Sequence, residues 1–221
     1  MSSASFSLLD LYCGAGMASD GYRAAGFTDI VGVDINKQPN YPYKFEQQNA
    51  LEVLNDLDYL KQFDAIHASP PCQAHTRAKH LRTAQGGKAK YDDLLTPTLA
   101  ELRKHDLLWV VENVPGAPGM DGAAVQCGSA YGLGVRRHRL FLGSVPLRGS
   151  GCRHKDQGRP WGVYHVPADS IPKGGRTARN VEHGREVMGV DRAISWNELK
   201  EGFPPAYTQH IGSQLLEVIA T

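Results

Sequence analysis

Cys72 is preceded by Ser69, Pro70 and Pro71 and followed by Gln73. The two prolines stiffen the backbone and end the run Phe63–Ala68, which reads as a buried strand. A thiol on a stiff loop at the carboxyl end of a parallel strand stands where α/β folds bind ligands. Five basic residues and no acidic ones follow between Arg77 and Lys90, and nearby positive charge favours a thiolate. Cys72 therefore reads as a nucleophile, whereas Cys13 and Cys127 read as packing cysteines. Glu112 stands after another apolar run, Leu107–Val111. A carboxyl held beside an apolar strand end keeps its proton near neutral pH and can protonate a ring nitrogen. In Arg136-Arg137-His138-Arg139, strand alternation predicts Arg137 and Arg139 on one face, where two guanidinium groups suit carbonyl or phosphate oxygens.

A second cluster lies near the amino end. Asp10-Leu-Tyr-Cys-Gly-Ala-Gly-Met reads as strand, glycine turn and helix, with Gly14 and Gly16 allowing a tight bend and close approach of a ligand. Asp34 lies 20 residues after Gly14, at the end of the next strand, where an acid can accept hydrogen bonds from ribose hydroxyls. The layout suits an adenosine cofactor, either NAD or S-adenosylmethionine. Ser19 stands where the dinucleotide pattern has its third glycine.

These residues need a frame to hold them. Strands are predicted at Phe6–Tyr12, Asp29–Ile35, Phe63–Ala68, Leu107–Val111 and Leu140–Val145. Helices are predicted at Met17–Ala25, Ala50–Tyr59, Thr96–His105, Val181–Met188 and Ile211–Ala220. Alternation of this kind implies an α/β fold with a mostly parallel sheet. The 221 residues suffice for one large domain with a small insertion. The segment 148–179 is rich in Gly, Pro, His and basic residues, lacks long periodicity, and reads as a loop-rich insertion with short strands near Val163–Val166. Net charge is only +1, but it is polarised: 1–64 carries 9 acidic and 4 basic residues, whereas 136–179 carries ten basic against Asp156 and Asp169. Two basic segments bordering one anionic ligand would fit nucleic acid. No CxxC pair, signal peptide or membrane-length apolar run is visible, so a soluble protein of a reducing compartment, with thiols, is expected. Cys152, His154 and His165 raise the question of zinc. No second cysteine lies close by in sequence, so no metal is expected.

In order, DLYCGAG, VGVDIN, SPPCQ, ENVPG, RRHR, GREVMGV and FPPAYTQHIGSQLL resemble the DNA cytosine carbon-5 methyltransferase family. The resemblance covers most of the chain outside about 148–175, and its compactness is similar to the short enzymes of actinobacteria and their phages. It implies a Rossmann-like S-adenosylmethionine-dependent methyltransferase fold with a very small target-recognition insertion. The implied organisation is a catalytic and cofactor-binding core at 1–147, the insertion at 148–180, and C-terminal motifs at 181–221 returning to the core. It also implies roles: Cys72 as nucleophile, Glu112 as the acid at ring nitrogen 3, and Arg139, supported by Arg137, at the base carbonyl. Asp10, Tyr12, Gly14, Gly16, Asp34, Ile35, Asn49, Pro71 and Ser213 would meet the cofactor, Tyr12 by stacking on adenine. Gln73, Arg77, Lys79 and Arg82 would meet DNA, the three basic residues at phosphates. Four positions depart from the family pattern: Met17, Asn49, Val135 and Ser213.

The resemblance implies an enzyme that takes a methyl group from S-adenosylmethionine, releases S-adenosylhomocysteine, and flips its cytosine out of double-stranded DNA. A monomer in the cytoplasm of a bacterial or phage-infected cell is expected, without an obligate protein partner. So small an insertion predicts a recognition sequence of about two to four base pairs. An RNA cytosine-5 methyltransferase would carry the same motifs. A non-catalytic DNA-binding protein would keep the fold but lose cofactor binding. An NAD-dependent oxidoreductase leaves SPPCQ and ENVPG without a role.

Overall fold

In a computed structural model, which describes residues 5–72, 92–163 and 176–221, the chain forms a seven-stranded sheet covered by helices on both faces. The strands are β1 (Ser7–Leu11), β2 (Asp29–Asp34), β3 (Lys44–Gln47), β4 (Ala65–Ala68), β5 (Trp109–Asn113), β6 (Ala124–Gln126) and β7 (Arg139–Gly143). Their order is β3-β2-β1-β4-β5-β7-β6. The pairs from β3 to β5 are parallel, and β7 runs antiparallel to both β5 and β6. This is the mixed α/β, mostly parallel, Rossmann-like arrangement that the strand–helix alternation predicts.

The central strands are buried on both faces, which explains their near-continuous apolar runs. On one face lie α2 (Ala50–Val53), α3 (Leu57–Leu60) and α4 (Leu95–Leu102), packed on Leu9, Leu11, Ile66 and Val111. On the other lie α1 (Met17–Ala25) and the C-terminal helix. Ala18, Tyr22, Tyr207, Ile211 and Leu215 pack there on Leu8, Ala65, Val110 and Phe141. Between them in sequence come α5 (Val181–Met188) and α6 (Trp196–Glu201), and the C-terminal helix is α7 (Pro205–Ile219). A third cluster joins Met17 and Val135 to Val163, Val187, Met188 and Leu199. A two-stranded parallel ribbon pairs β8 (Trp161–Gly162) with β9 (Arg176–Thr177) within the segment 148–180.

The helix Met17–Ala25 and the helix Val181–Met188 end where glycine dictates, at Gly26 and Gly189, both with positive φ. The predicted helix Ala50–Tyr59 is instead two short turns, because Asp56 caps a new one by accepting from the Tyr59 amide. α7 begins at Pro205, one turn and more before the predicted Ile211, with Pro at the position where its missing N–H costs nothing. α1 and α7 approach closely because Gly21 and Gly212 lack side chains. A Cβ at Gly21 would stand 2.0 Å from the Pro205 carbonyl oxygen, and one at Gly212 2.8 Å from the Ala25 Cβ. Among the described residues no helix is long and apolar enough to cross a membrane.

Candidate active site

Strand register alone lines up the key residues. Leu11 pairs with both Val33 and Ala68, and Ala68 with Val111. One residue further along, Tyr12, Asp34, Ser69 and Glu112 therefore form a row along the carboxyl edge of the parallel strands, where ligands bind in open α/β sheets. Across the antiparallel pair, Glu112 opposes Phe141. Arg139 is two residues from Phe141 and so shares its face. The result is a buried ion pair, Arg139 Nε to Glu112 Oε1 at 2.9 Å.

Cys72 sits beside that pair. The Asn113 amide donates to the Pro70 carbonyl at 3.1 Å, tying the end of β5 to the proline loop that carries the thiol. Burial pushes the Glu112 carboxyl up, and Arg139, Ser69 and Arg137 pull it only partly back. Glu112 is thus a buried strand carboxyl that holds a proton more tightly than a free one, while it pairs with Arg139. The Cys72 thiol is also pushed up, by burial first and then by Glu112, against the opposing pull of Arg139 and Arg137. The basic segment 77–90, expected to favour a thiolate, lies outside the described residues; among those described, desolvation outweighs the two arginines.

Arg137 does not share a strand face with Arg139. Its φ is +36°, and β7 starts only at Arg139, so the alternation fails at this residue. Arg137 instead donates to the carbonyls of Val163 and Lys200, bridging the insertion to α6. The Tyr207 hydroxyl donates to the carbonyls of both Arg136 and Arg137 at 3.0 Å and holds this turn from α7.

At the cofactor end, Gly14 has φ +49° and open space where a Cβ would be, and its amide donates to Asp34 Oδ2 at 3.2 Å. Asp34 Oδ1 accepts from the Asn36 amide at 2.9 Å, which leaves each oxygen a lone pair for a hydroxyl. Next to it Ile35 is 64% exposed, an apolar side chain open to a flat ring. Tyr12, with φ +59°, is half-buried and its hydroxyl bonds Thr98. Pro71 is exposed beside Cys72. Gly16 has φ +85°, and a Cβ there would meet the Tyr41 ring at 2.8 Å. These residues fit an adenosine ligand in the turn.

Three others expected at the cofactor sit elsewhere or are already engaged. Asp10 is wholly buried beneath the turn, where Ser19 donates to it and in turn bonds Tyr41. Asn49 caps α2 by accepting from the Leu51 amide. Ser213 is exposed on α7 and bonds the Gln209 carbonyl. Its neighbour Gly212 packs against Ala25, nine residues along α1 from the turn, which is roughly 13 Å of helix. Gln73, Arg77, Lys79, Arg82 and His165 lie outside the described residues.

Sequence reasoning passed over several residues that the fold recruits. His67 is fully buried, accepts or donates to Tyr22 and Ser69, and is held neutral by burial, its pKa down to about 3. Arg192 pairs with Asp20 at 2.7 Å and donates to the carbonyls of Ala15 and Asn40, clamping the glycine turn from the C-terminal segment. The partners of Arg192 lie more than 150 residues away, so no local pattern announces it.

The family model for C-5 cytosine-specific DNA methylase matches residues 6–126. Solved structures resemble the whole chain. A triple variant of DNMT2 from Spodoptera frugiperda aligns over 98% of this chain and 100% of its own, with TM-score 0.60 and 16% identity. A prophage-encoded E. coli protein described as a DNA modification methyltransferase aligns over 98% and 100%, with TM-score 0.59 and 15% identity. The Entamoeba histolytica methyltransferase EhMeth aligns over 98% and 99%, with TM-score 0.61 and 11% identity. No curated protein matches the sequence. With its motifs set along one sheet edge and more than half its length matched, the chain belongs to the C-5 cytosine-specific DNA methylase family.

Proposed function

We propose that this protein is a DNA (cytosine-5)-methyltransferase that uses S-adenosylmethionine and forms a covalent adduct through Cys72. The observation that carries the reading is the buried Arg139–Glu112 pair beside Cys72, a nucleophile, an acid and an oxyanion partner in one place. Cytosine carbon 5 is a poor nucleophile. Addition of the Cys72 sulfur to carbon 6 makes it an enamine carbon. Glu112, whose burial raises its hold on a proton, donates that proton to ring nitrogen 3 and neutralises the charge that builds there. Arg139 faces the base oxygen and stabilises its developing charge. Gly14, Asp34, Ile35 and Tyr12 would hold the cofactor, which would supply an electrophilic methyl group for carbon 5. Loss of the carbon-5 proton and of the Cys72 sulfur then restores the ring.

The insertion 148–180 serves as the recognition element in this reading, and the basic segment 77–90 contacts phosphates. The test is transfer of label from S-adenosylmethionine to unmethylated duplex DNA, beside an RNA duplex, with native protein and Cys72→Ala. 5-Methylcytosine in DNA, formed only with the native cysteine, is the expected outcome. Label in RNA alone would replace the substrate, and label with Cys72→Ala would remove the nucleophile.

A further inference from the structure

We propose that Cys127, His138, Cys152 and His154 bind one zinc ion, and that this ion staples the recognition insertion to the strand pair that carries Arg139. Their four ligand atoms all lie within 4.8 Å of one another. Cys127 Sγ is 3.2 Å from His154 Nε2, and His138 Nε2 is 3.3 Å from Cys152 Sγ. A tetrahedral zinc with sulfur at ~2.3 Å and nitrogen at ~2.0–2.1 Å needs ligand separations of about 3.3–3.8 Å. The donor set, two sulfurs and two imidazole nitrogens, is a zinc set rather than a calcium or magnesium set. Four protein ligands make a closed, structural site.

The expectation of no metal rested on the lack of a second cysteine near Cys152. The spacing C-x10-H-x13-C-x-H hides it, because Cys127 comes from the end of β6 and His138 from the residue before β7. Antiparallel pairing of those two strands brings the first two ligands together. The loop 148–157 brings the other two, and it is docked independently of any ion. The Ser150 amide donates to the Val125 carbonyl, the Cys127 amide to Ser150 Oγ, and Gln157 to the carbonyls of Leu133 and Val135.

The surroundings suit a charged sulfur. Ser129 Oγ accepts from the Arg153 amide at 3.0 Å and stands 3.1 Å from Cys127 Sγ. With the amide proton directed at it, the hydroxyl turns its own proton to the sulfur, the outer contact that orients a metal-bound thiolate. Cys127 is buried, the imidazoles half-buried and Cys152 exposed, so the site is open to an entering ion. Because His138 lies between Arg137 and Arg139, a bound ion fixes the backbone that aims Arg139 at Glu112.

Tag-free protein prepared under reducing conditions with zinc in the growth medium is analysed for metal by mass spectrometry. About one equivalent is expected, falling at least ~10-fold in Cys152→Ser and His154→Ala but not in Arg153→Ala. Cys152 and His154 are on the loop surface, so both variants should fold, and circular dichroism checks this. Cobalt(II) added to metal-free protein should give the visible bands of a tetrahedral thiolate site, absent in Cys152→Ser. Zinc that persists in both variants, no zinc and no cobalt bands in the native protein, or a Cys127–Cys152 disulfide in the reduced preparation would each overturn the proposal.

Discussion

Replacing Asp10 by Asn should raise stability relative to the native protein progressively as pH rises from acid to alkaline. Asp10 is wholly buried, and its pKa is raised from 3.8 to about 7, mainly by burial, against the Ser19 hydrogen bond. Between about pH 4 and pH 7 the folded protein keeps a proton that the unfolded chain has lost. Stability attributable to this group is therefore complete below pH 4 and lost as pH rises through 7. Three units of pKa correspond to about 4 kcal/mol over the whole window, of which about 3 kcal/mol falls between pH 5 and pH 8. Asn accepts the same bond from Ser19 and never ionises. His67 works in the opposite sense, since its pKa is lowered from 6.5 to about 3 by burial. Its contribution is present above pH 6.5 and lost as pH falls toward 3, so the two groups nearly cancel in the native protein. The assay is urea unfolding of native and Asp10→Asn protein at pH 5, 6, 7 and 8, where His67 drops out of the difference. The variant should gain about 3 kcal/mol on the native protein from the first pH to the last. A difference that stays constant across this range would refute the buried, protonated Asp10.

Two further outcomes follow from packing and charge. Gly21→Ala puts a methyl group 2.0 Å from the Pro205 carbonyl oxygen, so α1 and α7 must part; after about 1 kcal/mol of helix propensity regained, a net loss of roughly 2 kcal/mol is expected in denaturant unfolding. The charges flanking Cys72 act with opposite signs, so Arg139→Ala should slow alkylation of Cys72 by iodoacetamide at pH 8 and Glu112→Gln should speed it. Peptide mapping with an added free thiol as the reference reads both rates, and shifts of one sign in both variants would contradict the electrostatic assignment.

The candidate site residues were legible because they belong to strand ends, and strand ends are marked locally. Pro70 and Pro71 stop β4, Gly14 and Gly16 turn β1 into α1, and Glu112 closes an apolar run. What escaped is what register and distance decide. β3 (Lys44–Gln47) is a short polar edge strand, and β6 is three residues long, so neither has an apolar period to show. The left-handed backbone at Arg137 breaks an alternation that the letters RRHR suggest. Tyr207, Arg192 and Cys127 gain their roles from partners far along the chain. Gly16, Gly32 and Ser19 all meet the single residue Tyr41, which fills the space beneath the cofactor turn; a glycine pattern reveals the turn but not the ring that supports it.

The four departures from the family pattern also acquire a physical sense from the fold. Met17 and Val135 are both buried, and both enter the cluster built from Val163, Val187, Met188 and Leu199. A Cβ at Gly202 would stand 2.4 Å from the Met17 sulfur, so the longer side chain at the start of α1 is matched by an absent one before α7. Apolar volume at positions 17 and 135 thus anchors the short insertion and the C-terminal segment that follows it, where a larger recognition domain would bring a core of its own. Ser213 is a surface residue of α7 whose hydroxyl bonds the Gln209 carbonyl. Asn49 follows β3 at the sheet edge near Asp34, and there its oxygen is committed to capping α2, a duty Asp performs equally well. The amide therefore preserves the helix that the position needs while withholding a charge. Asn49→Asp is therefore expected to raise S-adenosylmethionine affinity in a calorimetric titration without loss of stability, and an unchanged affinity would remove Asn49 from the cofactor site.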